Sequence, residues 1–237
     1  MTPVVILTHN NLELTKKCVE SVLVQNITAS LFIFDNNSTD GTSEWIVEQG
    51  FTGLLHPENE GVSVGWNVGL DFLFEDGASS VLVLNNDTVI PPWFYSSLLS
   101  YDVPFISGVS VDVISAIQYP LQWEKPAPCP DFSAFLIRRD CWEKIGPFDE
   151  RMKFYASDCD YHVRAHRAGI QLLNSGVPFY HERSSTLKNA DPEERANISA
   201  RANADRQAFR EKYGTIPGEP EYGELFKPDL FGKGEVK

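Results

Sequence analysis

Ser79-Ser80-Val81-Leu82-Val83-Leu84-Asn85-Asn86-Asp87-Thr88 is the stretch whose reading decides the fold. Val81 to Leu84 is an unbroken apolar run, as expected of a strand covered on both faces. It stops abruptly in two amides, a carboxylate and a threonine, and Pro91-Pro92 follows. Open α/β sheets present ligand chemistry at the C-terminal ends of their strands, which singles out Asp87. Taken alone, Asn-Asp after a strand also reads as an ordinary turn. The rest of the chain weighs against that bland reading.

Upstream, the same punctuation recurs. Val4 to Leu7 reads as a strand ending in Thr8-His9-Asn10-Asn11, and Leu31 to Phe34 as a second ending in Asp35 to Thr42. Phe51 to Leu55 reads as a third strand, followed by His56 to Gly61. Between them, Leu14, Cys18, Val19, Val22 and Leu23 recur at helical spacing, Ser43 to Gln49 reads as a short helix, and Val62 to Phe74 as a longer one. Gly65 and Gly69 within it allow close packing. Strand and helix alternate four times, the pattern of a parallel sheet. Parallel strands point the same way, so the polar clusters Thr8–Asn10, Asp35–Asp40, Asn59–Gly61 and Asn85–Asp87 are expected on one rim.

Beyond Asp87 the pattern changes. Pro92 to Ser100 reads as a helix, Pro104 to Tyr119 as one or two strands with an antiparallel option, and Trp123 to Pro130 as a proline-rich loop. Phe132 to Arg138 reads as a strand, Arg139 to Ile145 as a helix, Phe148 to Ser157 as irregular, and Asp158 to Ala168 as an amphipathic helix. Ile170 to Leu173 and Val177 to Tyr180 read as two short strands. Asp191-Pro192 signals the start of a polar, Arg-rich helix to Tyr213, and Gly214 to Lys237 reads as a tail, either draped on the surface or used at a partner interface.

The chain has 237 residues, 42% of them apolar, enough for one large α/β domain with a small appendage. A formal charge of −13 argues against binding nucleic acid, which calls for a basic face. It leaves room for a small anionic ligand partnered by a divalent cation. Cys18, Cys129, Cys141 and Cys159 are too scattered for a zinc site or a disulfide framework. With no leader pattern and no apolar run of membrane-spanning length, a cytoplasmic location and no transmembrane segment are expected.

Several of these clusters together resemble a known family. Thr8-His9-Asn10, Asp35 to Thr42, Asn59-Glu60-Gly61 with Asn67, and Leu84 to Thr88 fall in the order and spacing of the inverting family 2-type glycosyltransferases of GT-A fold. Gly146 to Glu150, then Ser157 to Tyr161 with Arg164 and Gly169, extend the likeness over about residues 3–186. The sequence looks most like the rhamnosyltransferase-like subgroup. The resemblance implies a Rossmann-like, mostly parallel sheet with a small antiparallel acceptor-side part. Residues 1–90 then form the nucleotide-binding half, 91–186 the acceptor-binding half, and 187–237 a C-terminal helix and tail with the capacity for a homodimer contact.

What the family holds at matching positions gives the expected roles. Asp35 resembles the carboxylate that accepts from the nucleobase, with Thr8, Asn10 and Asn36 lining that pocket. Asn59, Gly61 and Asn67 stand where the nucleoside and diphosphate are held. Asn85-Asn86-Asp87 occupies the place of the Asp-x-Asp motif, with amides at two positions, leaving Asp87 and a further ligand, His181, to hold Mn²⁺ or Mg²⁺. Asp158 matches the general base, although Ser157 replaces the acid that usually precedes it. Trp123 and Asp160 are candidates on the acceptor side. The expected donor is a nucleoside diphosphate sugar, UDP-sugar ahead of dTDP- or GDP-sugar, and the acceptor a glycan or small molecule.

Each residue also has a plainer reading. Taken alone, His181 reads sooner as a strand-end histidine satisfied by backbone; Asp158 also reads as a helix cap, and Asp160 as a surface charge near the helix start. Two other functions compete: a binding module without activity, and a nucleotidyltransferase. The latter would want a glycine-rich basic loop after the first strand, which Thr8 to Asn11 is not.

Overall fold

The computed structural model describes residues 2–118, 130–182 and 191–227. Its centre is an eight-stranded sheet. The first half comprises β1 (Thr2–Thr8), α1 (Leu12–Leu23), β2 (Ala29–Asn36), α2 (Thr42–Glu48), β3 (Thr52–His56), α3 (Val62–Glu75) and β4 (Ser80–Asn85). The second half comprises β5 (Thr88–Val89), α4 (Phe94–Leu99), β6 (Phe105–Val111), β7 (Ala134–Arg138), α5 (Arg139–Ile145), α6 (Ser157–Arg167), β8 (Leu173–His181) and α7 (Pro192–Tyr213). Short 3-10 turns cover Ile114–Gln118 and Pro220–Phe226.

The strand order is β3-β2-β1-β4-β7-β6-β8-β5. β3, β2, β1 and β4 run parallel, whereas β7 is antiparallel to both β4 and β6, and β5 to β8. The expected parallel half and antiparallel appendage are both present. Alternate residues of β1 explain why its sequence is apolar throughout. Val5 and Leu7 join one core with Trp66, Leu70 and the Phe105/Phe135 pair, while Val4 and Ile6 join another with Cys18, Val19 and Leu98. Helices cover both faces of the sheet. A Cβ on Gly65 would come within 2.3 Å of Leu7, and one on Gly69 within 2.8 Å of Val5, so α3 lies hard against β1.

Asp40 starts two helices at once, accepting the Leu12 N–H at 2.9 Å and the Thr42 N–H at 3.2 Å. The helix over 192–213 holds to the body by a sparse stripe of Ile198, Ala202, Asp205 and Phe209, all buried, one of them an acid. One reading needs correction. Leu173–His181 is one strand, not two, because its polar middle is satisfied across a register shift with β6: Ser175 Oγ donates to the Ser107 carbonyl at 2.8 Å. The tail, through residue 227, packs on its own chain, with Phe226 against the rings of His162 and His166. Among the described residues no helix is long and apolar enough to cross a membrane.

Candidate active site

The register sets Leu7 opposite Asn85 and Thr8 opposite Asp35, so β1, β2 and β4 end level with one another. Their ends border a cavity of about 250 Å³, bounded on the sheet side by Thr8, His9, Asn36, Asn85, Asn86 and Asp87 and on the other by Asn59 and Gly61. Seven of the residues singled out from the sequence therefore meet: Thr8, Asn36, Asn59, Gly61, Asn85, Asn86 and Asp87. His9, from the same motif as Thr8 and Asn10, joins them.

Several polar groups near this rim are already engaged. Asn86 Nδ2 donates to Thr8 Oγ1 (3.0 Å), the Asn10 carbonyl (2.9 Å) and Thr15 Oγ1 (2.9 Å), tying β4 to the start of α1. Asn10 does not border the cavity; its backbone is left-handed and its Oδ1 accepts the Thr39 N–H at 2.8 Å. Asp35 is wholly buried, and both its oxygens accept from the hydroxyls of Ser38 and Ser43. Asn67 faces away, exchanging hydrogen bonds with the backbone of Phe148 and donating to Glu150 Oε1. Asn36 bridges β2 to the segment before α3, donating to the Gly61 carbonyl at 3.1 Å and accepting the Glu60 N–H at 2.9 Å. In contrast, Asn85 Oδ1 is buried with no partner among the described residues. Leaving an acceptor so costs about 1–3 kcal/mol.

Asp87 is brought to His181 by β-pairing. Thr88 stands opposite His181, the Glu182 N–H donates to the Asp87 carbonyl at 2.9 Å, and His181 Nε2 lies 3.3 Å from Asp87 Oδ1. One hard oxygen and one imidazole, side by side and mostly shielded, are a donor set suited to Mn²⁺ or Mg²⁺. The described residues offer no third His, Cys, Asp or Glu to that cluster. Remaining coordination would fall to substrate oxygens and water. Beneath the strand end, burial pushes the Cys18 thiol up to about 12, so it stays neutral.

A second cavity of about 580 Å³ adjoins the first, and Val62, Asn85, Phe154 and Tyr155 border both. Its outer side holds Asp158, Asp131, Ser110 and Ser133, and its floor is aromatic, with Trp66 and Phe132. Trp66 Nε1, like Asn85 Oδ1, is a buried polar atom without a partner among the described residues. Asp158 lies in the first turn of α6 and is exposed, its Oδ1 accepting the Cys159 N–H at 2.8 Å. Burial pushes the Cys159 thiol up to about 12, so it stays neutral. Asp160 points elsewhere: it is wholly buried, bonded to Arg164 Nε (2.8 Å), Tyr213 Oη (2.8 Å) and Lys212 Nζ (2.6 Å), and fastens α6 to α7. Trp123 lies outside the described residues.

The wall shared by the two cavities was not foreseen. Lys153 to Tyr155 is irregular chain, placed from both sides by contacts distant in sequence. The Val62 N–H donates to the Lys153 carbonyl at 2.6 Å, and a Cβ on Gly61, whose φ is +88°, would meet that carbonyl at 2.3 Å. Behind it, the buried carboxylate of Asp205 in α7 accepts the N–H groups of Lys153 (3.2 Å), Phe154 (2.8 Å) and Tyr155 (2.8 Å). Ile198 and Arg201, also from α7, complete the border of the first cavity.

Residues 4–154 match the sequence model described as glycosyl transferase family 2. Among curated proteins, Rv1525 of Mycobacterium tuberculosis is 27% identical over 139 residues, covering 52% of this chain and 53% of that protein. A Mycobacterium bovis protein, Mb1552, matches to the same extent. The chain thus spans about half the length of these curated relatives. Among solved structures, Staphylococcus aureus TarS 1-349 in complex with UDP-GlcNAc superposes with a TM-score of 0.62 at 12% identity, covering 95% of this chain and 78% of that one. The mannosyltransferase PcManGT of Pyrobaculum calidifontis, with GDP-Man and Mn²⁺, gives 0.61 at 16%, covering 94% and 67%. GalNAc-T7 with UDP, GalNAc and Mn²⁺ gives 0.62 at 12%, covering 76% and 43%. At such identities the likeness establishes the shared fold.

Proposed function

The chain belongs to glycosyl transferase family 2, and on that footing we propose that it moves one sugar from a nucleoside diphosphate sugar to an acceptor hydroxyl, with inversion at the anomeric carbon. The observation that carries this reading is the pair of cavities joined along Asn85, Val62, Phe154 and Tyr155, with Asp87 on one and Asp158 on the other. Inversion needs the leaving group and the attacking oxygen on opposite faces of the sugar, and a donor seated across that shared wall meets the requirement.

In this reading the first cavity takes the nucleoside diphosphate, UDP being favoured, and the second a glycan or small-molecule hydroxyl. Asp158 accepts the proton of the attacking hydroxyl as general base. The lone acceptor of Asn85 and the lone donor of Trp66 are met by sugar hydroxyls, which relieves the cost of burying them unpaired. Asp87 and His181 would hold Mn²⁺ or Mg²⁺, which neutralises charge on the departing diphosphate when bound. For Asp35 to receive a nucleobase N–H, the Ser38 or Ser43 hydroxyl must turn aside. A sugar lying over Trp66 and Phe132 has the flat apolar platform that pyranose rings favour.

A direct test is transfer and donor hydrolysis with UDP-, dTDP- and GDP-sugars, with Mn²⁺ or with chelator. The expected outcome is nucleoside diphosphate release that needs the cation and quickens with a sugar acceptor. Tight donor binding with no release under any condition would instead establish a binding module.

A further inference from the structure

The strand-helix frame does not close the donor cavity by itself. Its remaining border comes from α7, beyond the residues that match the family model. The Arg201 guanidinium lies over the ring of Phe154, 5.0 Å from its centroid. One turn further on, Asp205 holds the backbone of Phe154 and its neighbours from behind. The ring is thus fixed in place, and Arg201 rests on its face at the cavity border.

Arg201 is the one lysine or arginine among the described residues bounding this cavity, which also contains the carboxylate of Asp87. The chain as a whole carries a formal charge of −13. A diphosphate entering such surroundings needs local positive charge, and a planar guanidinium offers several fixed donors to phosphate oxygens. We infer that Arg201 binds the diphosphate of the donor, so that α7 is part of the donor site; this rests on the donor reading above. Arg201 is a binding residue in this scheme, and Asp205 a positioning residue that sets the ring beneath it. The competing account is that Arg201 only packs on Phe154.

Comparing a nucleoside diphosphate with its nucleoside separates the two accounts. UDP, dTDP and GDP, and the matching nucleosides, are titrated with Mn²⁺ present against the wild-type chain, Arg201→Gln and Arg201→Lys. Arg201 is exposed, so neither variant is expected to disturb folding. Arg201→Gln is expected to weaken the preferred diphosphate about tenfold to a hundredfold, the effect of losing charged hydrogen bonds, and to leave the nucleoside unchanged. Arg201→Lys, which keeps the charge but loses the planar fork, is expected to fall between the wild type and Arg201→Gln for the diphosphate. Unchanged diphosphate binding by Arg201→Gln overturns the inference, and so does an equal loss for diphosphate and nucleoside, which marks a packing role. Failure of the wild-type chain to bind any nucleoside diphosphate overturns the donor reading itself, a different result.

Discussion

His181 Nε2 stands 3.3 Å from Asp87 Oδ1, the two residues being held together by the antiparallel pairing of β5 with β8 rather than by nearness in sequence. Because backbone sets the distance, substituting one side chain leaves the other in place. Asp87→Ala is expected to abolish the enhancement of UDP binding by Mn²⁺, and His181→Ala to weaken it by about tenfold or more. Titration with and without Mn²⁺ measures both, and UDP affinity that responds to Mn²⁺ as before in Asp87→Ala would remove these residues from the metal.

Asp158 predicts a different pattern. Its carboxylate borders only the second cavity, so donor binding does not depend on its charge. Asp158→Asn is expected to bind UDP as the wild type does, while transfer falls by about a hundredfold to ten-thousandfold, the usual scale for removing a general base. Transfer at near wild-type rate would place the base elsewhere. Asp160 is not the substitute, being buried against Arg164, Lys212 and Tyr213.

The amide at Asn86 is a departure from an acidic motif that the structure accounts for. Its nitrogen faces two hydroxyl oxygens and the Asn10 carbonyl, which accepts only. Asn86→Asp sets an anionic acceptor against that carbonyl and removes the donor that joins β4 to the start of α1. A loss of about 1–3 kcal/mol in stability is expected, read as a lower melting temperature. An unchanged melting temperature would mean that this junction is held by other contacts.

The sheet was legible because its strands are short apolar runs ending in polar clusters, and parallel pairing carries every such ending to one rim. Asp87 and Asp158 were legible as acids at element ends. The engagement of Asp35 by Ser38 and Ser43 was not, since a sequence does not say which of several loop hydroxyls turns inward. Phe154, Tyr155 and Arg201 were not foreseen at the site for a related reason. The first two lie in chain with no period, and their place is set by Asp205, some fifty residues on. Arg201 is one of several arginines on a polar helix, and nothing in its spacing marks it apart from Arg195 or Arg206.

The attachment of α7 makes a prediction about acid. Asp149 accepts from Arg151 (Nε at 3.0 Å, Nη2 at 2.7 Å) and from Lys212 Nζ of α7 at 2.7 Å. Hydrogen bonding from Arg151 first, with Lys212 adding to it, holds the Asp149 carboxyl well below the usual carboxylate range. Because the folded value lies below the unfolded one of about 3.9, the stabilisation is complete above about pH 5 and drains away as pH falls through the folded value. Thermal unfolding followed from pH 7 to pH 3 should show a steeper loss of stability below about pH 4 in the wild-type chain than in Asp149→Asn. The variant should also be less stable at pH 7, by about 1 kcal/mol, since Arg151 is largely exposed and solvent screens its share. Parallel acid limbs in the two proteins would show that Asp149 is ionised alike in the folded and unfolded chain, and that α7 is held by its buried stripe and Asp160 alone.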